Sequence, residues 1–184
     1  AGTRVVFEGS NTGSVTVNFP VDANAFSVNL FGSQLVNFDL KGNTINVSNG
    51  LRVSNQITEI KNGKIVFANS TVNDQLVELG EAVFDNVQLL FNAGNWQIIL
   101  AGRLDQLYIS NAKLRTRFVI LKLNQLSLTG QSILIGEYNT IEVQGDLSIA
   151  STATIKSGVE VLFKGTQGNF ENNSSVPFNS LSIQ

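Results

Sequence analysis

The 184-residue chain has no cysteine and no histidine. The first absence excludes disulfides and thiol chemistry and leaves the redox compartment unread. The second removes the commonest general base and the commonest metal ligand. No Ser-His-Asp set is therefore possible, no metal-ligand spacing stands out, and no cofactor or phosphate-binding loop is recognisable. Only two prolines and one tryptophan occur. No run approaches the ~18 apolar residues of a membrane-spanning helix, so membrane insertion is not expected. Charged residues make up only 14% of the chain, which has a net charge of −2 and a pI near 5.1. That balance offers neither the basic footprint of a nucleic-acid binder nor a basic stripe for an anionic membrane. No segment carries convincing helical periodicity, and at most one short helix is expected.

Asparagine, in contrast, is over-used, at 22 residues. Asparagine serves turns and corners, and stacked asparagines share side-chain hydrogen bonds in ladders. An Asn-rich surface also suits hydrogen bonding to sugar hydroxyls. A short pattern recurs through the chain. Apolar anchors at Leu40, Ile60, Phe84, Ile109, Leu128 and Ile149 are spaced 20, 24, 25, 19 and 21 residues apart. Two positions after each comes Gly42, Asn62, Asn86, Asn111, Gly130 or Ser151. Five after the first five come Ile45, Ile65, Leu89, Leu114 and Ile133. Period-two alternation marks strands, and Gly or Asn between them tolerates a left-handed corner. Two short strands meeting at a corner bury nothing alone. A recurrence of this length therefore implies stacked coils with a continuous core. The anchors are expected to pile in one file.

These columns, with Ile60-Lys61-Asn62-Gly63-Lys64-Ile65 the most typical, resemble the right-handed parallel β-helix of the pectate-lyase-like superfamily and of phage tailspikes. The resemblance covers Phe38 to Phe163. It implies an all-β, right-handed parallel β-helix solenoid of about six to seven coils. Because that fold hosts hydrolases, lyases, adhesins and passive spikes, it says little about activity.

The chain is expected to form one domain. Residues 1–34 read as first strands or a cap, with strands at Val5-Val6-Phe7, Val15–Phe19 and Ala25–Phe31. A turn from Glu8 to Gly13 and Pro20 punctuate them. Residues 35–163 are the coils. The wider spacings suggest excursions at Asn69 to Asp74 and Asn92 to Asn95. Residues 164–184 read as a loop and a last strand. The chain opens Ala1-Gly2-Thr3 without Met, as a processed product or a fragment does.

Asp39 and Glu59 each precede an anchor. They are expected to stack on one outer face, where mutual repulsion would raise one pKa and prepare an acid and a base for glycoside cleavage. Tyr108 would continue that column. Lys41 and Lys61 lie near enough to screen the pair, which would make it an ordinary solvated face. Glu78, Glu81, Asp85 and Asp105 near Trp96 and Arg103 form a second carboxylate group. Trp96 offers either a sugar-stacking ring or, by its shared parity with Ile98 and Leu100, a core residue. Lys113, Arg115, Arg117 and Lys122 offer a basic patch for an anionic polysaccharide, or a solvated face. The candidate glycan contacts are thus Trp96, Tyr108, Arg103, Arg115 and Arg117. The column six after each anchor reads Asn46, Val66, Leu90, Arg115, Leu134. Val66, Leu90 and Leu134 there suggest an exposed apolar strip, hence an interface or a surface covered by the chain's own loops. Tailspikes are parallel homotrimers, so the resemblance implies a homotrimer. It implies a host cell-surface polysaccharide as partner and a virion-surface or extracellular location. The competing readings are a polysaccharide hydrolase or lyase, and a bacterial adhesin or structural solenoid. Ice binding is not expected, because no Thr-x-Thr array repeats.

Overall fold

The computed structural model describes residues 4–7, 15–18, 22–30, 36–54, 57–69, 73–99, 103–117, 120–137, 139–156, 158–164, 168–174 and 181–183. The turn from Glu8 to Gly13 and Pro20 lie outside these residues. Among the described residues seventeen strands follow one another and there is no helix. They are β1 (Arg4–Phe7), β2 (Val15–Asn18), β3 (Ala23–Leu30), β4 (Val36–Asp39), β5 (Thr44–Val53) and β6 (Ile57–Ala68). Next come β7 (Gln75–Glu78), β8 (Val83–Ile99), β9 (Gln106–Ser110), β10 (Ala112–Arg117), β11 (Ile120–Thr129) and β12 (Ile133–Glu137). The last are β13 (Asn139–Ile149), β14 (Thr154–Ile155), β15 (Val159–Phe163), β16 (Phe170–Asn172) and β17 (Leu181–Ile183).

Every pairing between them is parallel and joins a segment to the equivalent segment of the next coil. The result is a three-faced parallel β-solenoid. The first face carries β2, β4, 57–61, 83–85, 103–104, 120–123, 139–143, β15 and β17. The second carries 23–25, 44–47, 63–67, 87–91, β9, 125–129, 146–149 and β16. The third carries β1, 27–30, 50–53, β7, 94–98, β10, β12 and β14. From β4 to β15 the chain returns six times to the first face.

The alternation read from sequence is the cause. Long strands such as β8 bend around two corners without breaking, and the residue at each bend carries the strain. Asn62, Asn86 and Asn111 have φ of 56°, 52° and 53°, and Gly42 and Gly130 have φ of 82° and 61°. Five of the six expected corner residues thus adopt the left-handed conformation that Asn and Gly tolerate. Asn92 to Asn95 is no excursion. It lies inside β8 and turns a corner at Gly94, whose φ is 87°. There a Cβ would meet Asn69 Oδ1 at 1.9 Å, so only glycine fits.

The interior is a set of apolar columns. Phe38, Ile60 and Phe84 stack on the first face. Val47, Phe67, Phe91, Ile109, Leu128 and Ile149 stack on the second. Leu114, Leu134 and Ile155 stack on the third. All are buried. Five of the six anchors therefore occupy two files, not one. Ile60 and Phe84 belong to the first face, while Ile109, Leu128 and Ile149 belong to the second. The apolar-polar-corner pattern is the same at both corners, so spacing alone slipped from one to the other between Phe84 and Ile109. Leu40 joins neither file. It turns the corner beneath Gly63, where an added Cβ would lie 2.5 Å from Leu40 Cβ.

Candidate functional site

The Asp39–Glu59 pair is not stacked. The register sets Asp39 beside Lys61 and Glu59 beside Asn37. Asp39 is buried at the first corner, where its Oδ1 accepts hydrogen bonds from the Lys41 backbone N–H at 2.9 Å and from Asn62 Nδ2 at 3.2 Å. Its Oδ2 faces Lys41 Nζ at 3.2 Å. The Lys41 N–H above all, then the Asn62 amide and the Lys41 ammonium, hold the Asp39 carboxyl below its ordinary range against the upward push of burial. A general acid needs the opposite shift. Glu59 pairs with Lys61 at 3.2 Å. The misassignment arises because Leu40 sits at the corner while Ile60 lies in the first-face file, so Asp39 and Glu59 precede residues at different points of the coil.

Trp96 belongs to the core. It is 0% exposed, its Nε1 donates to Ala93 O at 2.7 Å, and it meets the rings of Phe67 and Phe91 edge-on at 5.2 and 5.9 Å. No sugar reaches it. Leu134 is also 0% exposed and sits in the inner column between Leu114 and Ile155, so it contributes nothing to an outer strip. Val66 and Leu90 are adjacent rungs on the outside of the second face, as expected. The next rung there is Tyr108, then Ser127 and Ser148. Tyr108 thus continues the Val66–Leu90 column and not that of Asp39. Its hydroxyl bonds Gln106 Oε1 at 3.1 Å and Gln125 Oε1 at 2.9 Å.

The remaining candidates are spread over the first face, the third face and the turns. Arg103 bridges Lys122 on the first face, while Lys113, Arg115 and Arg117 lie on the third. The third-face cations are not free. Lys113 and Arg115 reach Asp74 at 3.8 and 3.4 Å, and Arg117 reaches Glu137 at 3.1 Å. Of the second carboxylate group, Glu78 lies on the third face, Asp85 on the first, and Glu81 and Asp105 at turns. They do not converge.

What the stack does bring together is a groove of about 460 Å³ on the third face. Three coils line it: Ser27 and Asn29 from β3, Asn49 to Arg52 from β5, and Asp74 to Leu76 with Glu78 along β7. Arg52 Nε donates to Glu78 Oε2 across neighbouring rungs. At the start of β7, Asp74 is gripped by Lys113 and Arg115 from two coils further on. Between these ion pairs Leu76 stands 43% exposed. Amides, a hydroxyl, opposite charges and an apolar rim together form a surface suited to a polar, extended ligand.

No protein family, no curated protein and no solved structure matches this chain. The groove residues are therefore read from chemistry alone. Of the groove residues, Glu78 was legible in the sequence as a candidate, whereas Asn29, Asn49, Arg52, Asp74 and Gln75 were not. They come from segments about one coil apart, and aligning the third faces rather than the corners would have set Arg52 against Glu78.

A second, smaller groove of about 320 Å³ lies at the first corner. It is lined by Gly42, Thr44, Asn62, Gly63, Lys64, Asn86 and Gln88. Asn86 Nδ2 donates to Asn62 Oδ1 at 3.2 Å, which extends the Asp39–Asn62 contact into a ladder. Among the described residues, no group of three acidic side chains is placed to hold a metal ion.

Proposed function

We propose that the chain is a tailspike-like or appendage solenoid that holds a cell-surface polysaccharide along its third-face groove. The observation that carries this reading is the groove itself. Ser27, Asn29, Asn49 and Gln75 offer donors and acceptors for hydroxyls, Arg52 offers a fork of donors, and Leu76 offers an apolar surface for a sugar face. Binding is favoured over cleavage. Asp74 and Glu78 are the carboxylates of the groove, and four residues of extended chain set their backbones about 13 Å apart. Cleavage of a glycosidic bond takes two carboxyls roughly 5 to 9.5 Å apart, one of them protonated. Both of these face cations instead.

Self-association through the second face is part of the same proposal. From Gln88 to Thr129 its outer positions are Gln88, Leu90, Gln106, Tyr108, Ser110, Gln125, Ser127 and Thr129, with no charge among them. Amides and hydroxyls both donate and accept, so like rungs of three parallel copies meet without repulsion. The first and third faces carry charges on most rungs.

The test is a pull-down of the full chain on immobilised capsular and O-antigen polysaccharides, with a reducing-end assay on the same mixtures. Retention that Arg52→Ala and Gln75→Ala abolish, with no new reducing ends, supports the reading. No retention on any polysaccharide overturns it, and new reducing ends replace it with a hydrolase. Light scattering reports the assembly: a monomer at high concentration removes the homotrimer.

A further inference from the structure

The sequence contains two Asn-Gly dipeptides, Asn49-Gly50 and Asn62-Gly63. This dipeptide has an intrinsic reaction. The glycine backbone nitrogen attacks Cγ of the asparagine side chain, the new C–N bond closes a succinimide, and ammonia leaves. Water then opens the ring to aspartate or isoaspartate. No other reactant is needed. The reaction requires the nitrogen and Cγ to approach at near-attack distance, which a tied-down side chain resists.

The fold treats the two sites differently. Asn62 is held from both sides, donating to Asp39 Oδ1 at 3.2 Å and accepting from Asn86 Nδ2 at 3.2 Å. Its backbone is fixed at φ 56° in the corner. Asn49 sits where the ladder skips. Ala25 pairs with Val47 and Ser27 with Gly50, so Phe26 alone faces both Ser48 and Asn49. Such a bulge leaves its extra residue outside the regular hydrogen-bond pattern. The Asn49 side chain has no hydrogen-bond partner among the described residues. Nor is Gly50 readily replaced, because a Cβ there would lie 2.8 Å from Leu76 O. Packing against β7 demands the glycine that makes the dipeptide reactive.

We infer that Asn49 is a site of spontaneous deamidation in the folded protein and that the Asp39–Asn62–Asn86 ladder protects Asn62 from the same fate. The product places a third carboxylate in the groove beside Asp74 and Glu78. The groove thereby becomes more anionic with age, without any enzyme. The modification does not depend on what the groove holds.

The experiment is peptide mass mapping of the folded full chain aged in mildly alkaline buffer. The peptide containing Asn49 gains the mass of an amide-to-acid exchange several-fold faster than the peptide containing Asn62. Asn49→Gln, whose longer side chain cyclises far more slowly, removes the early gain. In concentrated urea the two wild-type sites converge, because bulge and ladder are both gone. Equal rates in the folded chain, or no gain at Asn49, overturn the inference.

Discussion

Asn62 Nδ2 donates to Asp39 Oδ1 over 3.2 Å, one coil to the next. The contact gives the corner ladder a direction, because a carboxylate only accepts. Asn62 must turn its nitrogen toward Asp39 and so presents its oxygen to Asn86. The charge at one end thus orients two amides in succession.

Acid titration reads this contact. The Asp39 carboxyl is held below its ordinary range in the folded chain. A depressed folded pKa contributes stability that is present above the unfolded value and is lost as pH falls through the folded one. Urea midpoints of the wild type are therefore expected to fall below about pH 4 more steeply than those of Asp39→Asn. At neutral pH that variant costs about 1 kcal/mol, the scale of one hydrogen bond. Parallel pH curves for the two proteins would remove Asp39 from the acid limb.

Tyr108 governs the opposite limb. Burial, with Asp105 and Asp146 adding to it, raises the phenol above 10.0. A raised folded pKa contributes stability that is present below the unfolded value and is lost as pH rises through the folded one. The chain should lose stability above pH 10, and Tyr108→Phe should remove that slope. Phenolate absorbance measures the titration directly, and a Tyr108 contribution at the ordinary midpoint would contradict it.

The lone tryptophan supplies a clean optical probe. Trp96 is fully buried, so its emission should be blue-shifted and resist acrylamide quenching. Polysaccharide added to the folded protein should leave its quenching unchanged. Trp96→Ala should cost about 3–5 kcal/mol through the cavity it leaves beside the stacked rings of Phe67 and Phe91. Free quenching of the native chain would contradict this placement.

Gly63 and Gly42 separate crowding from backbone strain. A Cβ on Gly63 meets Leu40 Cβ at 2.5 Å and Asn43 O at 2.7 Å, whereas one on Gly42 meets nothing within 4 Å. Gly42 has a φ of 82°. Gly42→Ala should cost roughly 1–2 kcal/mol of left-handed strain. Gly63→Ala should cost more, because Leu40 and the backbone must both move. Thermal midpoints that rank them the other way would argue against the stacking of Leu40 under Gly63.

The chain's own pattern determined the stacked parallel coils and their corners. Alternation requires strands with one buried side, and recurrent Asn or Gly supplies the left-handed bend, so Asn62, Asn86, Asn111, Gly42 and Gly130 are legible as corners in the sequence alone. Which corner each occupied was not legible. Two corners of a coil share one local signature, and sequence spacing carries no absolute phase, so Phe84 and Ile109 looked equivalent while belonging to different faces. The groove was hidden for a related reason. Asn29, Arg52 and Asp74 come together only because whole coils stack about 4.8 Å apart. That pairing is set by the buried residues Val28, Leu51 and Val77, which stack in register on the inner side of the same coils, and not by proximity of the three residues along the chain.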